Sequence, residues 1–184
     1  EQVTLMKVEA PLIAKKARAG QFIIFRIDEY GERVPLTIAD TDPEAGTVTI
    51  IFQKVGLSTN LLGSLEAGDS ILDFVGPLGA ATDLSGIRKA AVIGGGVGCA
   101  IAYPTAKALY QAGAEVDMIA GFRNEELVII QEEMEAASSR FFLCTDDGSA
   151  GRKGFVTDQL RELLEQGEQY DAVFAIGPVP MMKF

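Results

Sequence analysis

Histidine is absent from this chain of 184 residues. Its absence removes the side chain that most often serves as a general base or a metal ligand near neutral pH. Only two cysteines are present, Cys99 and Cys144, both in apolar sequence and without a CxxC pair. We therefore expect two buried, reduced thiols, no disulfide framework, and no iron–sulfur or zinc site in this chain. Any catalysis must depend on a cofactor or on carboxylates.

Basic residues are also scarce, which narrows the classes of partner. The chain has 16 Lys and Arg against 26 Asp and Glu, a formal net charge of −10. This acidity disfavours binding to nucleic acids or to anionic membranes. No leader-like segment is present, and no apolar run approaches the length of about 18 residues that a membrane span needs. The sequence therefore predicts a soluble, cytoplasmic protein without nucleic-acid or membrane partners.

Short apolar strands punctuated by glycine characterise residues 1–86. Strands are predicted over 3–10, 21–27, 35–39, 47–53 and 70–75. A single helix is predicted over 58–65, with Ser58 as its N-cap. Short strands at this spacing indicate a small antiparallel barrel or sandwich.

Strands alternate with helices over residues 87–184. Strands are predicted over 89–93, 115–120, 141–145 and 171–176, and helices over 98–111, within 124–138 with Asn124 as cap, and over 156–166. This alternation indicates a parallel sheet flanked by helices, with the domain boundary near Leu84–Gly86. The chain begins at Glu1 and ends at Phe184, where a further helix is predicted to open. We therefore expect the native chain to be longer.

A glycine loop, Gly94-Gly95-Gly96-Val97-Gly98, follows the first strand of the second half and opens its first helix. Glycines let the backbone approach a phosphate, and a helix N-terminus offers unpaired N–H groups. The loop therefore predicts a dinucleotide diphosphate site, although the GxGxxG fingerprint would require glycine at Cys99. A tight turn without a ligand is the alternative.

The next strand end supplies candidates for binding the adenosine ribose. Asp117 is at the expected distance from the glycine loop but falls in the middle of a strand. Gly121 and Arg123 follow that strand and are better placed. Arg123 would meet a ribose or its 2′-phosphate, or else be a solvated loop arginine, so the choice between NAD and NADP stays open.

Five short motifs resemble those of the ferredoxin–NADP reductase superfamily. In order, they are Arg33-Val34-Pro35-Leu36-Thr37, Gly56-Leu57-Ser58-Thr59, Gly76-Pro77-Leu78-Gly79, Gly94 to Gly98, and Gly177-Pro178-Val179-Pro180-Met181-Met182. Within that superfamily, further runs resemble the electron-transfer subunit of dihydroorotate dehydrogenase and, more closely, the small subunit of NADH-dependent ferredoxin:NADP oxidoreductase. These runs are Gly121 to Asn124, Cys144 to Ser149 and Gly154 to Asp158.

The resemblance implies an N-terminal antiparallel Greek-key β-barrel that binds FAD, followed by a Rossmann-like NAD(P)-binding domain with a parallel sheet. The barrel would hold FAD through Arg33 at the diphosphate, Pro35, Leu36 and Thr37 at the ring, and Ser58 and Thr59 at a phosphate, together with Val34, Gly56 and Gly76. The second domain would hold NAD(P) through Gly95, Gly96, Val97, Gly98, Gly121, Arg123, Asp146, Asp147, Gly148, Gly177, Pro178 and Met181. Ordinary capping, turn formation and core packing are the structural alternatives for these residues.

The same resemblance implies a function. Hydride would pass from NAD(P)H to FAD, and single electrons would pass on to an iron–sulfur centre or ferredoxin. A [2Fe-2S] cluster is expected only in a longer native chain, and the partner would be a large catalytic subunit resembling glutamate synthase or dihydroorotate dehydrogenase. The alternatives are the electron-transfer subunit of a dihydroorotate dehydrogenase, or a nucleotide-binding regulatory module without redox activity.

Overall fold

The computed structural model describes residues 3–183 of the chain, so the predicted domain ends at Glu1 and Phe184 lie outside the described residues. The chain divides into two compact units between Thr82 and Asp83. The sequence placed this boundary slightly later, near Leu84–Gly86. No helix within the described residues is long and apolar enough to cross a membrane.

The first unit is built on a five-stranded antiparallel sheet. Its elements are β1 (Val3–Glu9), α1 (Pro11–Ala14), β2 (Phe22–Arg26), β3 (Val34–Asp42), β4 (Thr47–Gln53), α2 (Leu57–Leu62) and β5 (Asp73–Leu78). The strand order is β1-β4-β3-β2-β5. Strand β5 returns beside β2, the first of three consecutive strands, which is the Greek-key arrangement. The predicted antiparallel Greek-key fold is confirmed.

Alternation along β2 separates the core from the outer face of this sheet. Ile23 and Phe25 are completely buried, whereas Phe22, Ile24 and Arg26 are half-buried on the other face. Burying a side chain of this size contributes about 2–3 kcal/mol to the free energy of unfolding. The inward residues form one core with buried residues from β3, β4 and the two helices: Ile13, Ala14, Ile38, Val48, Ile50, Phe52 and Leu62.

The second unit is built on a five-stranded parallel sheet of order β10-β6-β7-β8-β9. Its elements are β6 (Lys89–Gly95), α3 (Gly98–Gln111), β7 (Glu115–Phe122), α4 (Gln131–Ala136), β8 (Arg140–Thr145), β9 (Arg152–Lys153), α5 (Val156–Glu165) and β10 (Ala172–Ile176). Short 3₁₀ helices cover Glu125–Leu127 and Met181–Lys183. The predicted parallel sheet with flanking helices is confirmed.

Both faces of the parallel sheet are buried at the central strands β6 and β7, which explains their continuous apolar runs. Met118 of β7 packs on one face with residues of α3, among them Ala106 and Leu109. Ile119, the next residue along, packs on the other face with Leu163 of α5. Because successive side chains of a strand point to opposite faces, one strand serves both cores.

The prediction of a single helix in the first unit was wrong, because the short helix α1 precedes α2. Two predictions about helix starts were also wrong. Helix α2 takes Gly56 as its N-cap instead of Ser58, and the hydroxyl of Thr59, three residues on, accepts the N–H of Gly56 at 3.0 Å. Asn124 precedes the short 3₁₀ helix Glu125–Leu127, whereas α4 begins only at Gln131.

Strand β5 begins at Asp73, three residues later than predicted. Its pairing with β2 begins at Asp73, opposite Arg26, which is the last residue of β2. The partner strand therefore decides where β5 begins.

Candidate functional site

The carboxyl ends of the parallel strands meet at one edge of the second unit. The N–H of Gly96, after β6, donates to the carbonyl of Gly121 at the end of β7 at 2.8 Å. The N–H of Asp146, after β8, donates to the carbonyl of Phe122 at 3.0 Å. These bonds bring the predicted residues of three loops to a single edge. Such an edge is where ligands bind in open α/β sheets.

The loop after β10 joins the same edge beside the glycine loop. Gly94 pairs with Ile176 in the parallel register. A Cβ added at Gly98 would lie 2.5 Å from the carbonyl oxygen of Ile176, so only glycine fits where α3 passes the end of β10. A Cβ at Gly95 would lie 2.6 Å from Sδ of Met181. The structure therefore brings the glycine loop, which follows β6, together with residues 177–181, which follow β10. The strand order reverses between these two neighbouring strands.

Gly96 gives the loop its turn and leaves room above it. Its φ is +57°, in the left-handed region, and no atom lies within 4 Å of the position that a Cβ would take. Helix α3, which follows, has no side-chain cap and no acidic residue in its first turn. A helix N-terminus without such partners presents N–H groups and a positive dipole end, which favour an anion.

The loops after β7 and β8 are connected through a serine that the sequence did not single out. Oγ of Ser149 donates to Oδ1 of Asp147 at 2.6 Å and accepts the N–H of Glu125 at 2.8 Å. Hydrogen bonds from the Ser149 side chain and backbone lower the pKa of Asp147, so this exposed carboxylate is ionised. The Asp-x-Ser spacing, typical of an Asx turn, is the signal that could have identified it.

Asn124 leaves an acceptor unused at this edge. Its Oδ1 is buried and accepts no hydrogen bond from the described residues. Buried polar atoms in folded proteins nearly always have a partner, so such an atom beside a predicted ligand site is informative. Its neighbour Arg123 lies in the same loop, and the carbonyl of Arg123 accepts the N–H of Asp147 at 3.3 Å.

Asp117, the acidic residue at the sequence separation from the glycine loop that is expected for a ribose ligand, makes its hydrogen bonds inside the protein. It is completely buried within β7. Its carboxylate accepts hydrogen bonds from Arg140 at 2.7 and 2.5 Å and from the Tyr170 hydroxyl at 2.6 Å. Burial raises the pKa of Asp117, but the bonds from Arg140 and Tyr170 outweigh burial and hold it below its usual value. Asp117 therefore serves the interior of the unit.

The bonds of Asp117 belong to a charged network at the opposite, amino-terminal ends of the strands. Glu168 bridges Nζ of Lys89 at 2.5 Å and the guanidinium of Arg140 at 2.8 Å. Lys89 also pairs with Glu115 at 2.8 Å. No sequence motif marks this network, because its members come from four separate segments of the chain.

Both cysteines are free and buried, as the sequence predicted. Cys99 lies against the glycine loop, where a Cβ at Gly94 would approach its Sγ to 2.7 Å. Burial raises the pKa of Cys99 to about 12 and that of Cys144 to about 11. Both side chains are therefore protonated thiols with no nucleophilic role.

The predicted flavin residues of β3 divide between the two faces of the antiparallel sheet. Pro35 and Thr37 pair with Ile24 and Phe22 of β2, on the outer face. Val34 and Leu36 instead pack against the core, so towards a ligand on the outer face they offer only backbone groups. Gly76 lies in β5, where a Cβ would approach Cγ2 of Ile23 to 2.7 Å, so Gly76 allows β5 to pack closely against β2.

Arg33 lies just before β3 and joins a cluster that the sequence did not reveal. Its Nη2 donates to Oδ2 of Asp73 at 3.3 Å. The same oxygen accepts Nε of Arg26 at 2.6 Å. Arg26 and Asp73 lie opposite each other on β2 and β5. No motif contained either residue, since they meet only through strand pairing.

The loop at the start of α2 uses its own polar groups. Oγ1 of Thr59 accepts the N–H of Val55 and of Gly56, each at 3.0 Å, and donates its proton to the carbonyl of Gly56 at 3.2 Å. A phosphate would have to compete with the Gly56 carbonyl for the hydroxyl proton of Thr59. The hydroxyl of the half-buried Ser58 makes no hydrogen bond within the described residues. No hydrogen bond between described residues joins this loop to Arg33.

Comparison with known proteins identifies relatives over the whole chain. The oxidoreductase NAD-binding domain family matches residues 92–184. A Thermotoga maritima homologue of the dihydroorotate dehydrogenase B (NAD⁺) electron transfer subunit is 43% identical over 96% of this chain and 62% of its own length. The Fusobacterium nucleatum electron transfer subunit of dihydroorotate dehydrogenase B (NAD⁺) is 34% identical over 97% of this chain and 71% of its own length.

A solved structure of an NADH-dependent reduced ferredoxin–NADP oxidoreductase, described for flavin-based electron bifurcation, superposes on the whole chain. The TM-score is 0.91 at 41% sequence identity, covering 100% of this chain and 66% of that one. The cytochrome b5 reductase domain of Ulva prolifera nitrate reductase shares the fold at a TM-score of 0.77 and 19% identity, over 99% of this chain and 84% of that one. The chain thus spans under two thirds of the Thermotoga relative and of the oxidoreductase chain.

Proposed function

This chain belongs to the ferredoxin–NADP reductase superfamily, and we propose that it is a flavoprotein electron-transfer subunit. In this proposal its first unit binds FAD and its second unit binds NADH. The names of the two dihydroorotate dehydrogenase relatives, which refer to NAD⁺ alone, favour NADH over NADPH as the electron donor. Two observations carry the proposal, one in each unit. The first is an apolar strip that ends at Arg33 on the outer face of the antiparallel sheet. The second is the glycine loop at the uncapped N-terminus of α3.

The chemistry of the first unit fits FAD. The outer face of β2, β3 and β5 presents Ile24 between Pro35 and Val75, which are its partners in the register. Pro35 and Val75 are exposed, and Val75 is 53% exposed. This strip is a flat apolar surface suited to an aromatic ring system, and Arg33 at its end suits a diphosphate. FAD, when bound, supplies the exchange between two-electron and one-electron transfer that no side chain of this protein provides.

The second unit fits a nicotinamide dinucleotide. The N-terminus of α3 behind Gly96 has no capping side chain and no acidic residue in its first turn, and its positive dipole end favours a diphosphate. The buried acceptor of Asn124, Oδ1, suits a donor group of the ligand such as a ribose hydroxyl or a carboxamide. Asp147, ionised beside Ser149, suits hydroxyl donors in the same way. In this proposal, the residues of this edge bind and orient the nucleotide.

No residue of the chain is required to move a proton. A hydride transfer needs the two reactants to be held in register and shielded from water, and positioning alone contributes a large part of such an acceleration. The absence of histidine from the sequence is therefore consistent with the proposed reaction.

Anaerobic absorption spectroscopy of the full-length protein tests this proposal. The protein, reconstituted with FAD and separated from free flavin, should show the two flavin absorption bands. Addition of NADH should bleach them, and NADPH at equal concentration should do so more slowly. A protein that retains no FAD contradicts the flavin assignment. One that binds FAD and NADH without bleaching is instead a nucleotide-binding module without redox activity.

We further propose that the native protein is longer, carries a [2Fe-2S] cluster beyond this chain, and passes electrons to a large catalytic subunit. The structural likeness at 41% identity favours a ferredoxin:NADP oxidoreductase type of subunit, with ferredoxin as a further partner. The curated relatives favour the second candidate, the electron-transfer subunit of a dihydroorotate dehydrogenase.

Co-purification of the tagged full-length protein from its native host separates the two candidates. The first predicts a glutamate synthase-like partner and reduction of NADP⁺ by the complex that requires both NADH and reduced ferredoxin. The second predicts a dihydroorotate dehydrogenase-like partner and NAD⁺ reduction with dihydroorotate. Activity with neither substrate pair contradicts both.

A further inference from the structure

Two guanidinium groups converge on one carboxylate oxygen on the outer face of the first unit. Nε of Arg26 lies 2.6 Å from Oδ2 of Asp73, and Nη2 of Arg33 lies 3.3 Å from the same oxygen. The three residues come from the end of β2, the loop before β3 and the start of β5. Asp73 therefore neutralises only one of two neighbouring positive charges.

Most of the donors in this cluster have no acceptor among the residues that the structure describes. A guanidinium carries five N–H donors, and Arg26 and Arg33 each donate one hydrogen bond to Asp73. No further acceptor for either side chain is found within the described residues. The side chain of Arg26 is only 23% exposed, so water compensates its charge less well than it does for Arg33, which is 63% exposed. Two such cations side by side need another anion.

The position of the cluster identifies the kind of anion. In the register, Arg26 and Asp73 lie two residues along from Ile24 and Val75, so these four side chains share the outer face. Pro35, the partner of Ile24, lies on that face two residues after Arg33. An apolar strip that ends in two guanidinium groups matches a ligand with a flat ring and an anionic end.

We infer that Arg26 is a second phosphate-binding residue of the flavin site and acts together with Arg33 on the diphosphate. This inference rests on the proposed function, because it assumes that FAD binds to this face. Asp73 has a positioning role, since it holds both guanidinium groups at one place before the diphosphate binds. An isolated structural ion pair would need only one guanidinium for this carboxylate.

The test compares binding of FAD and of riboflavin, which lacks phosphate, to the apoprotein of the full chain by equilibrium dialysis. Arg26→Gln should weaken FAD binding by about tenfold or more, as expected for charge-assisted hydrogen bonds. Riboflavin binding should stay within about twofold of the wild type, because no phosphate contact is lost. Arg18→Gln is the matched control: Arg18 is an exposed arginine of the same unit whose side chain has no ion pair among the described residues. It should leave both affinities unchanged.

A double variant removes the effect of an uncompensated carboxylate. Arg26→Gln combined with Asp73→Asn keeps the net charge of the cluster at the wild-type value, but lacks the donors of Arg26. Its FAD affinity should remain at least tenfold below that of the wild type, because Asp73→Asn also removes the carboxylate that positions Arg33. Recovery of wild-type affinity would overturn the inference, because Arg26 would then act only by neutralising Asp73. If Arg26→Gln does not fold, Arg26→Lys replaces it and should bind FAD with intermediate affinity.

The remaining outcomes are also decisive. Unchanged FAD affinity in Arg26→Gln overturns the inference while the proposed function stands. Equal losses for FAD and riboflavin also overturn it, because they indicate general disruption of the site. A wild-type protein that binds riboflavin and FAD equally weakly contradicts the proposed function itself.

Discussion

The carboxylate of Asp117 and the guanidinium of Arg140, 23 residues apart in the sequence, form a two-bond ion pair at 2.7 and 2.5 Å. Asp117 is completely buried, whereas the Arg140 side chain is 39% exposed. Tyr170 adds a third hydrogen bond to the same carboxylate at 2.6 Å. This pair ties β7 to β8 and to the segment before β10, at the end of the sheet opposite the candidate nucleotide edge.

Asp117→Asn should lower the free energy of unfolding by about 3 kcal/mol, because it leaves a guanidinium and a phenol without their buried anion. Since the pKa of Asp117 is lowered in the folded state, its contribution is present above about pH 4 and is lost as the pH falls further. Chemical denaturation at pH 7 and at pH 3 should therefore show the difference from the wild type shrinking with acid.

Asp158→Asn is the control, because its partner Arg161 at 2.9 Å is 60% exposed. Loss of that surface pair should cost less than about 1 kcal/mol. Equal effects of the two substitutions at pH 7 would contradict the role assigned to Asp117.

Gly96→Ala tests the glycine loop as a phosphate site. The only structural cost is a left-handed φ for alanine, about 1 kcal/mol, because no atom lies within 4 Å of the added Cβ. The new methyl group would occupy the space in which the diphosphate is proposed to bind, so the dissociation constant for NADH should rise by about tenfold or more. Isothermal titration with NADH and thermal unfolding measure the two effects.

Gly113→Ala is a matched control for this substitution. Gly113 has a φ of +89° and no atom within 4 Å of its added Cβ, but it lies at the far end of α3. The two variants should lose similar stability, and only Gly96→Ala should lose affinity. If both bind NADH like the wild type, the loop is an ordinary turn.

Ser149→Ala tests whether the bond between the loops after β7 and β8 matters for binding. It removes the acceptor of the Glu125 N–H at 2.8 Å and the donor to Asp147 at 2.6 Å. We expect NADH affinity to fall about fivefold, which corresponds to roughly 1 kcal/mol, the typical value of one such bond. The pKa of Asp147, measured by NMR, should rise towards its ordinary value.

Ser85→Ala is the control. Ser149 donates to Asp147 from N at 2.9 Å and from Oγ at 2.6 Å. Ser85 donates to Asp83 in the same way, from N at 3.0 Å and from Oγ at 2.6 Å. Its loss should raise the pKa of Asp83 in the same way and leave NADH affinity unchanged. Identical NADH affinities in the two variants would show that the Ser149–Glu125 bond has no part in binding.

Both cysteine thiols should be inert in the folded protein. Burial raises their pKa to about 12 for Cys99 and about 11 for Cys144, so almost no thiolate exists at pH 8. Reaction with Ellman's reagent at pH 8 should detect neither thiol in the folded protein and both after unfolding. Ser64→Cys, at an exposed position, should add one thiol that reacts at once. Rapid reaction of the folded wild type would contradict the buried assignment.

Local patterns predicted most of the second unit correctly. Helix α3 has the predicted bounds, Gly98–Gln111. Local residues determine both ends, because the glycine loop precedes its start and Gly113 follows its end. The α4 region was predicted less well. There, Ile130 adopts a left-handed φ of 44° immediately before the helix, a conformation that no local rule assigns to a β-branched residue.

The sequence determined the order of the main strands and helices, the two-unit plan and the motifs that revealed the family, since these depend on periodicity and on glycine and proline punctuation within short windows. It did not predict the short elements α1 and β9. Only the tertiary structure decided which side chains meet. Asp73 joins Arg26 across 47 residues and Arg33 across 40, and Asp117 joins Tyr170 across 53. The physical reason is that strand register and sheet order set these contacts. Both depend on the packing of the whole unit, so no local window contains the information.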